Sequence, residues 1–181
     1  VPDAPEACAE TRAPTTSTTL MLALGDALAV ALLEARGFTA QDFKMYHPGG
    51  ALGAALATVG DLMHSGDAIP LIGLEARMGE ALIEISAKGL GCVGVIDAQG
   101  CLIGMVTDGD LRRHMGPDLL DQPVAEVMTR GPKTVQPGTL AADALRIMTA
   151  GPVKITQLFA VEDKKPAGLL HIHDLLRAGV K

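Results

Sequence analysis

A long apolar stretch dominates the first third of the chain. Pro14 leads into a run of threonine and serine hydroxyls. This favours a helix start, because hydroxyls there can accept from the free N–H groups of the first turn. The helix is predicted to run to about Arg36, with Gly37 as its C-terminal stop. It is apolar on nearly every side, so we expect burial on more than one face. We interpret its apolar core, Leu20–Ala35, as too short and too interrupted for a membrane span.

A short helix and a tight turn follow. Thr39 is a predicted cap for a helix ending near Tyr46, and His47-Pro-Gly-Gly then makes a turn in which glycine allows close backbone approach. A histidine on such a turn, with a pKa near neutrality, is suited to general acid or base chemistry. The alternative for His47 is a turn residue that holds a purely structural hydrogen bond.

The remaining two thirds of the chain repeat one pattern. The stretches Leu102–Arg113 and Pro166–Arg177 each read as an apolar strand, a polar turn and the first turn of a helix. Asp110 and Asp174 occupy the same place in the two stretches, 64 residues apart. The repeat therefore predicts two copies of one ligand-binding unit.

Each copy is predicted to contain a short strand, a helix, a two-stranded hairpin and a closing helix. In copy one these are Ile69–Ile72, Met78–Ala87, Cys92–Ile96, Leu102–Thr107 and a helix that starts near Asp110. In copy two they are Lys133–Val135, Leu140–Thr149 capped by Thr139, Leu158–Val161, Gly168–His171 and a helix that starts near Asp174. Neither copy buries much by itself, so we expect the two sheets to pack into one globule.

Composition narrows the class of protein. Apolar residues make up 48 % of the chain and aromatic residues only 2 %, so the core must consist of Leu, Ile, Val, Ala and Met. A net charge of −6 with no run of Lys or Arg gives no footprint for nucleic acid. Cys8, Cys92 and Cys101 fit neither a metal spacing nor an even set of disulfides, which favours a cytoplasmic location. We expect no cofactor and no membrane partner.

The candidate chemistry lies where the last strand of each copy meets its helix. In copy one, Thr107 can donate to a phosphate and Asp110 can accept from two ribose hydroxyls, with Asp108 beside them. The structural alternative is that Asp108, Asp110 and Asp174 are ordinary caps or first-turn acids.

Copy two carries a different set of side chains at the same place. His171 stands at the threonine position, with His173 and Asp174 beyond it. We predict that His171 or His173, in a protonated form, serves an anionic group there. The pair is not expected to bind a metal, because alternate residues at a strand end point to opposite faces.

Several longer strings resemble the D-arabinose 5-phosphate isomerases, in which a sugar isomerase (SIS) domain precedes a pair of cystathionine-β-synthase (CBS) motifs. The strings are Ala13-Pro-Thr-Thr-Ser-Thr-Thr, Ala35-Arg-Gly-Phe, His47-Pro-Gly-Gly-Ala-Leu-Gly, Thr107-Asp-Gly-Asp-Leu-Arg-Arg and His171-Ile-His-Asp-Leu-Leu-Arg. The resemblance implies an α/β (α+β) protein: the C-terminal part of an SIS-type α/β sandwich at 1–57, then a tandem CBS (Bateman) domain with motifs at 58–120 and 121–181.

The resemblance also implies a reaction, the interconversion of D-ribulose 5-phosphate and D-arabinose 5-phosphate, which feeds synthesis of the lipopolysaccharide sugar Kdo. Glu6 and His47 lie where the family has an active-site glutamate and histidine, and both side chains suit the proton transfers of an aldose–ketose isomerisation. The family's serine-rich phosphate loop and other catalytic groups precede this region. We therefore expect an upstream SIS portion to be missing, and the chain by itself to be inactive.

The implied partners are a sugar phosphate substrate, a nucleotide or nucleotide-sugar effector such as CMP-Kdo or an adenine nucleotide, and further copies of the chain in a homo-oligomer. Two other functions stay open. One is a stand-alone nucleotide-binding or dimerisation CBS module without catalysis. The other is a phosphosugar-responsive regulator, which requires a DNA-binding segment that the sequence does not show.

Overall fold

The computed structural model describes residues 2–8, 10–11, 13–46, 56–152 and 154–180. They belong to two compact units, residues 1–47 and residues 48–181. The turn that carries His47 lies outside the described residues.

The first unit contains helices α1 (Thr16–Ala35) and α2 (Ala40–Tyr46). The C-terminal end of α1 has the predicted glycine stop: Gly37 has a φ of +62°, and the Phe38 N–H donates to the Leu33 carbonyl at 3.0 Å. Thr39 caps α2 as predicted, since its hydroxyl accepts from the Asp42 N–H at 3.2 Å and the Asp42 carboxylate accepts from the Thr39 N–H at 2.8 Å.

Helix α1 is not buried within this unit, and it is longer than the apolar stretch seen in the sequence. None of its residues, all of which the structure describes, is buried. This unit has too few other residues to cover a helix that is apolar all round, so the expected burial on more than one face stays a prediction. The helix is also 20 residues long with a mean hydropathy of 1.6, enough by length and composition to cross a membrane. The helix begins before Leu20, so it is longer than the apolar stretch Leu20–Ala35 considered in the sequence.

The second unit contains two sheets. The first sheet has the strand order β1-β2-β3-β4, with β1 (Leu71–Gly73), β2 (Cys92–Ile96), β3 (Leu102–Thr107) and β4 (Thr129–Arg130). The second has the order β5-β6-β7, with β5 (Thr134–Val135), β6 (Gln157–Glu162) and β7 (Lys165–His171). In both sheets a parallel pair is followed by an antiparallel hairpin. The two sheets therefore repeat one topology, as the sequence repeat predicts.

Six α-helices and two short 3-10 helices, Gly66–Ala68 and Leu119–Asp121, accompany the sheets in the part of this unit that the structure describes. In chain order the α-helices are α3 (Val59–Leu62), α4 (Met78–Lys88), α5 (Asp108–Arg113), α6 (Val124–Val127), α7 (Ala141–Thr149) and α8 (Ile172–Arg177). Helices α5 and α8 begin two residues before the predicted positions. The predicted Thr139 cap is wrong: Leu140 is the N-cap of α7, while the Thr139 hydroxyl accepts from the Gln136 N–H.

The segments that open each copy are exchanged between the two cores. Val59, at the start of copy one, belongs to the core formed by β6, β7, α7 and α8. Val124 and Val127, at the start of copy two, belong to the core formed by β2, β3 and α4. The short strand β4 likewise pairs with β3. Each half of the second unit is therefore completed by residues of the other copy.

Two glycines make this exchange possible. A Cβ on Gly168 would overlap the sulfur of Met63 and lie 2.9 Å from the His64 carbonyl oxygen. A Cβ on Gly104 would overlap the sulfur of Met128 in the same way. The repeated glycine thus leaves room for the methionine of the other copy's opening segment.

The two sheets pack around one aromatic side chain. Phe159 of β6 is fully buried in a cluster with Ile69, Cys92 and Leu169. Its ring lies over Gly94 of β2, where an added Cβ would come within 2.7 Å of the Phe159 Cζ. The backbone also joins the sheets, since the Leu102 N–H donates to the Lys164 carbonyl at 2.9 Å. The predicted packing of sheet on sheet is confirmed.

Candidate functional site

Among the residues that the structure describes, the most deeply buried charge is the Asp110 carboxylate, at the junction of β3 and α5. The residue is only 2 % exposed. Its Oδ2 accepts from the Thr107 N–H at 2.8 Å and the Thr107 hydroxyl at 2.6 Å. Its Oδ1 accepts from the Thr129 hydroxyl at 3.0 Å and from the Arg113 guanidinium. The structural alternative, a first-turn acid in a capping box, is therefore realised here, with two further donors added to it.

These contacts set the charge state of Asp110. Burial acts to raise its pKa, but the hydrogen bonds from Thr107 and Thr129 and the positive charge of Arg113 outweigh burial and lower the pKa below its ordinary value. Asp110 is thus ionised at neutral pH. The stabilisation that comes with its ionisation is lost only as the pH falls through this lowered pKa.

A cleft of about 540 Å³ opens beside Asp110, and we call it cleft one. Thr107 and Asp108 line it, as the sequence predicts. Four cationic residues also line it: Arg112, Arg113, Lys133 and Lys154. Since the cations outnumber the two acids there, cleft one is suited to an anionic ligand.

A smaller cleft of about 220 Å³, cleft two, lies at the equivalent junction of β7 and α8. Its polar lining is His64, His171, His173, Asp174 and Arg177. The Asp174 Oδ2 lies 3.0 Å from the His64 Nε2, and its Oδ1 lies 3.6 Å from the Arg177 Nη1. Cleft two therefore has His171 and His64 where cleft one has Thr107 and Thr129.

His171 and His173 lie on the same side of the chain, contrary to the prediction. Their rings are 4.8 Å apart and T-shaped, and the His173 N–H donates to the His171 Nδ1 at 3.2 Å. Strand alternation fails here because helix α8 begins at Ile172, between them. Burial, followed by the neighbouring His173, lowers the pKa of His171, so the predicted protonated form is disfavoured for His171.

Among the residues that the structure describes, no three His, Cys, Asp or Glu side chains are arranged to hold a metal ion.

The same construction anchors both motif aspartates. Thr129 reaches Asp110, and His64 reaches Asp174, each from the exchanged segment of the other copy. An arginine three residues further along the helix, Arg113 or Arg177, also faces each carboxylate. Sequence reasoning missed Thr129 and His64 as parts of the site. The repeat contains them as matched positions, 65 residues apart, but only the exchange shows why those positions face the aspartates.

In the first unit, Glu6 caps helix α1. Its Oε2 accepts from the Thr15 and Thr16 N–H groups at 2.7 Å and 2.8 Å. The prediction that the hydroxyl groups would cap these amides is corrected, since the Thr15 hydroxyl instead donates to Glu6 at 3.0 Å. A hydrogen bond from the Ser17 side chain and then one from the Thr15 backbone lower the pKa of Glu6 to about 2. Glu6 is thus a carboxylate at any physiological pH. His47, its predicted partner, lies outside the described residues.

Paired sheets with exchanged opening segments, and a cleft at each strand–helix junction, define a tandem module with two related ligand clefts. The family model for the CBS domain matches residues 59–116 and 124–181. The chain therefore belongs to the CBS-domain family.

Individual relatives extend the comparison beyond this module. Arabinose 5-phosphate isomerase KdsD from Salmonella typhi is 51 % identical over 178 residues, which is 97 % of this chain and 54 % of that protein. The protein of the same name from Pseudomonas aeruginosa is 52 % identical over 179 residues, with the same coverage. The chain spans about half the length of the curated relatives it matches.

A solved structure shares the fold of the second unit. CBSX2 in complex with AMP has a TM-score of 0.58 and 27 % identity, and the match covers 67 % of this chain and 95 % of that one. The likeness agrees with the expected fold class, a mixed α/β protein with a tandem CBS pair.

Proposed function

We propose that the second unit is a nucleotide-sensing regulatory module, and that cleft one is its main site. The observation that carries this proposal is the juxtaposition of a buried carboxylate, Asp110, with four cationic side chains around one cleft. Carboxylates recognise ribose hydroxyls, and Lys and Arg recognise phosphate groups. The two recognition elements of a nucleotide are therefore present side by side.

The proposed ligand is a nucleotide or a nucleotide sugar. The AMP complex of CBSX2 supports an adenine nucleotide. CMP-Kdo is the alternative, since it joins a nucleotide phosphate to an acidic sugar and so offers two negative groups to the cations of cleft one. Cleft two, with His171, His173 and Asp174, is proposed as a second and more specialised site.

Nucleotide binding is expected to raise the melting temperature of the chain. A ligand at about 100 times its Kd stabilises the folded state by about 2.7 kcal/mol, a shift of several degrees that thermal unfolding detects. AMP, CMP and CMP-Kdo are tested at millimolar concentration. The variant Lys133→Gln is expected to weaken the affinity about tenfold, because it removes one charge-assisted contact.

Lys165→Gln is the matched control, since Lys165 is an exposed lysine of β7 that does not line cleft one. It is expected to leave the affinity unchanged. If no nucleotide raises the melting temperature, or if Lys133→Gln and Lys165→Gln have the same nucleotide affinity, the proposal is wrong.

We further propose that the chain is part of a D-arabinose 5-phosphate isomerase of Kdo biosynthesis, that its substrate is a sugar phosphate and that it acts in the cytoplasm as a homo-oligomer. The identity to KdsD enzymes along nearly the whole chain supports this. Glu6 and His47 are its proposed catalytic residues within this chain. Because a pKa of about 2 makes Glu6 a weak base, His47 is the group proposed to move the proton.

In a protein of the relatives' full length that contains this chain, His47→Ala is expected to lower isomerase turnover by about 10²–10⁴-fold, the range for loss of a general acid–base group. Glu6→Gln is expected to lower turnover too, and His114→Ala, a change in the second unit, serves as the control. The assay follows conversion of D-ribulose 5-phosphate to D-arabinose 5-phosphate. Undiminished turnover of His47→Ala would remove His47 from the mechanism. The 181 residues alone are expected to show no turnover.

A further inference from the structure

The Asp110 carboxylate has no acceptor position to spare. A carboxylate offers about four lone-pair sites, and four donors occupy them: the N–H and hydroxyl of Thr107 on Oδ2, and Thr129 and Arg113 on Oδ1. A ligand hydroxyl can therefore bind Asp110 only if one of these donors leaves.

The four donors differ in how easily they can leave. The two from Thr107 form the capping box that starts α5. Thr129 is held in β4, which pairs with Gly104 and Met105 of β3. The Arg113 side chain, in contrast, is 65 % exposed and long enough to reorient without any change in the backbone. Arg113 is thus the donor that a ligand displaces at the lowest cost.

We propose that Arg113 determines the selectivity of cleft one for phosphorylated ligands: it leaves Asp110 when ligand hydroxyls bind there, and the released guanidinium then binds the ligand's phosphate. This inference rests on the proposed nucleotide binding and adds the residue that separates nucleotides from nucleosides. Arg113 lines cleft one itself, so the released guanidinium stays at the site. Guanidinium groups bind phosphate oxygens in a two-pronged geometry.

Nucleosides and nucleotides differ in what they offer Arg113 when they displace it from Asp110. A nucleoside displaces Arg113 from Asp110 and offers the guanidinium no new anion. A nucleotide offers its phosphate in exchange, with Arg112, Lys133 and Lys154 as additional cations. The cleft therefore rejects nucleosides because of Arg113, beyond the general attraction of its cations for phosphate.

The test compares the affinities of nucleotide and nucleoside for the whole 181-residue chain by isothermal titration calorimetry, with AMP against adenosine and CMP against cytidine. Arg113→Met is expected to strengthen nucleoside binding and weaken nucleotide binding. The ratio of the two affinities is then expected to fall by about tenfold or more, the effect of one charge-assisted hydrogen bond.

Arg146→Met is the matched control. Arg146 forms the same kind of ion pair, with Asp143 three residues before it in α7, and it does not line cleft one. In Arg146→Met, the ratio of nucleotide affinity to nucleoside affinity is expected to equal the ratio in the unmodified chain. If Arg113→Met does not fold, Arg113→Ala serves in its place, because alanine favours the helix and likewise frees the acceptor position on Asp110.

The outcomes separate this inference from the function on which it rests. An affinity ratio in the Arg113 variant within about twofold of the unmodified chain, with nucleotide binding retained, would overturn the inference alone. Failure of the unmodified chain to bind AMP or CMP would overturn the proposed function, and the inference with it. A loss of nucleotide affinity without any gain for the nucleoside would also overturn it, since Arg113 would then be a phosphate ligand only.

Discussion

Asp110→Ala is expected to lower the free energy of unfolding of the second unit by about 3 kcal/mol, since hydrogen bonds to a buried charged group contribute about 1.5–3 kcal/mol each and do not add fully. The variant loses the carboxylate that accepts from Thr107, Thr129 and Arg113. It also leaves the Thr107 N–H without its partner at the start of α5. Equilibrium unfolding in urea, followed by far-ultraviolet circular dichroism, measures the loss.

Asp143→Ala is the control for this prediction. Asp143 also pairs with an arginine three residues on, but the pair is exposed, with side chains 43 % and 74 % accessible. Exposed pairs contribute about 0–1 kcal/mol, so this variant is expected to unfold close to the unmodified chain. If Asp110→Ala and Asp143→Ala lower the free energy of unfolding equally, the burial of Asp110 does not determine how much it stabilises the fold. Asp110→Ala is also expected to abolish nucleotide binding at cleft one.

Phe159→Ala is expected to lower the free energy of unfolding by about 3–5 kcal/mol, the usual cost of removing a buried phenylalanine side chain. The ring is fully buried between the two sheets and fills the space above Gly94. Because Cys92 and Leu169, which contact the ring, are held by their own strands, they cannot close the cavity without moving a sheet. The midpoint of urea unfolding should fall accordingly.

Ile83→Ala provides the comparison for Phe159. Ile83 lies on α4 and is 71 % exposed, so its truncation is expected to cost less than about 0.5 kcal/mol. If Phe159→Ala and Ile83→Ala unfold at the same urea concentration, the packing of the two sheets does not depend on this ring. A biphasic transition in the Phe159 variant alone would show that the ring couples the two halves into one folding unit.

Local pattern was sufficient to predict most elements of the second unit. Cys92–Ile96 and Leu102–Thr107 are observed with the predicted bounds. The reason is physical: apolar strands bounded by Gly100 and by polar turns have few alternative conformations. Predictions that depended on a single hydroxyl were less secure, and Thr139 does not cap α7, because a different local contact satisfies its hydroxyl.

The candidate site was predicted only in part. Thr107 and Asp110 are joined by the local geometry of a strand that runs into a helix, so their sequence spacing brings them together. Lys133, Thr129 and His64 come from other parts of the chain, and their places in the clefts follow from the exchange of opening segments. No local pattern encodes that exchange. The prediction for His171 and His173 failed for a local reason. Helix α8 begins at Ile172, between them, so both rings lie on one side of the chain instead of on opposite faces of a strand.

The sequence by itself determined the repeat, the strand–helix motif in each copy and the two aspartates at its centre, because these depend on hydrophobic period and on contacts between near neighbours. The tertiary structure alone decided that Thr129 and His64 reach the aspartates from the other copy, and that cleft one is the larger and more cationic of the two. Those properties depend on which distant segments pack together, and packing is settled by the shape and burial of the whole unit.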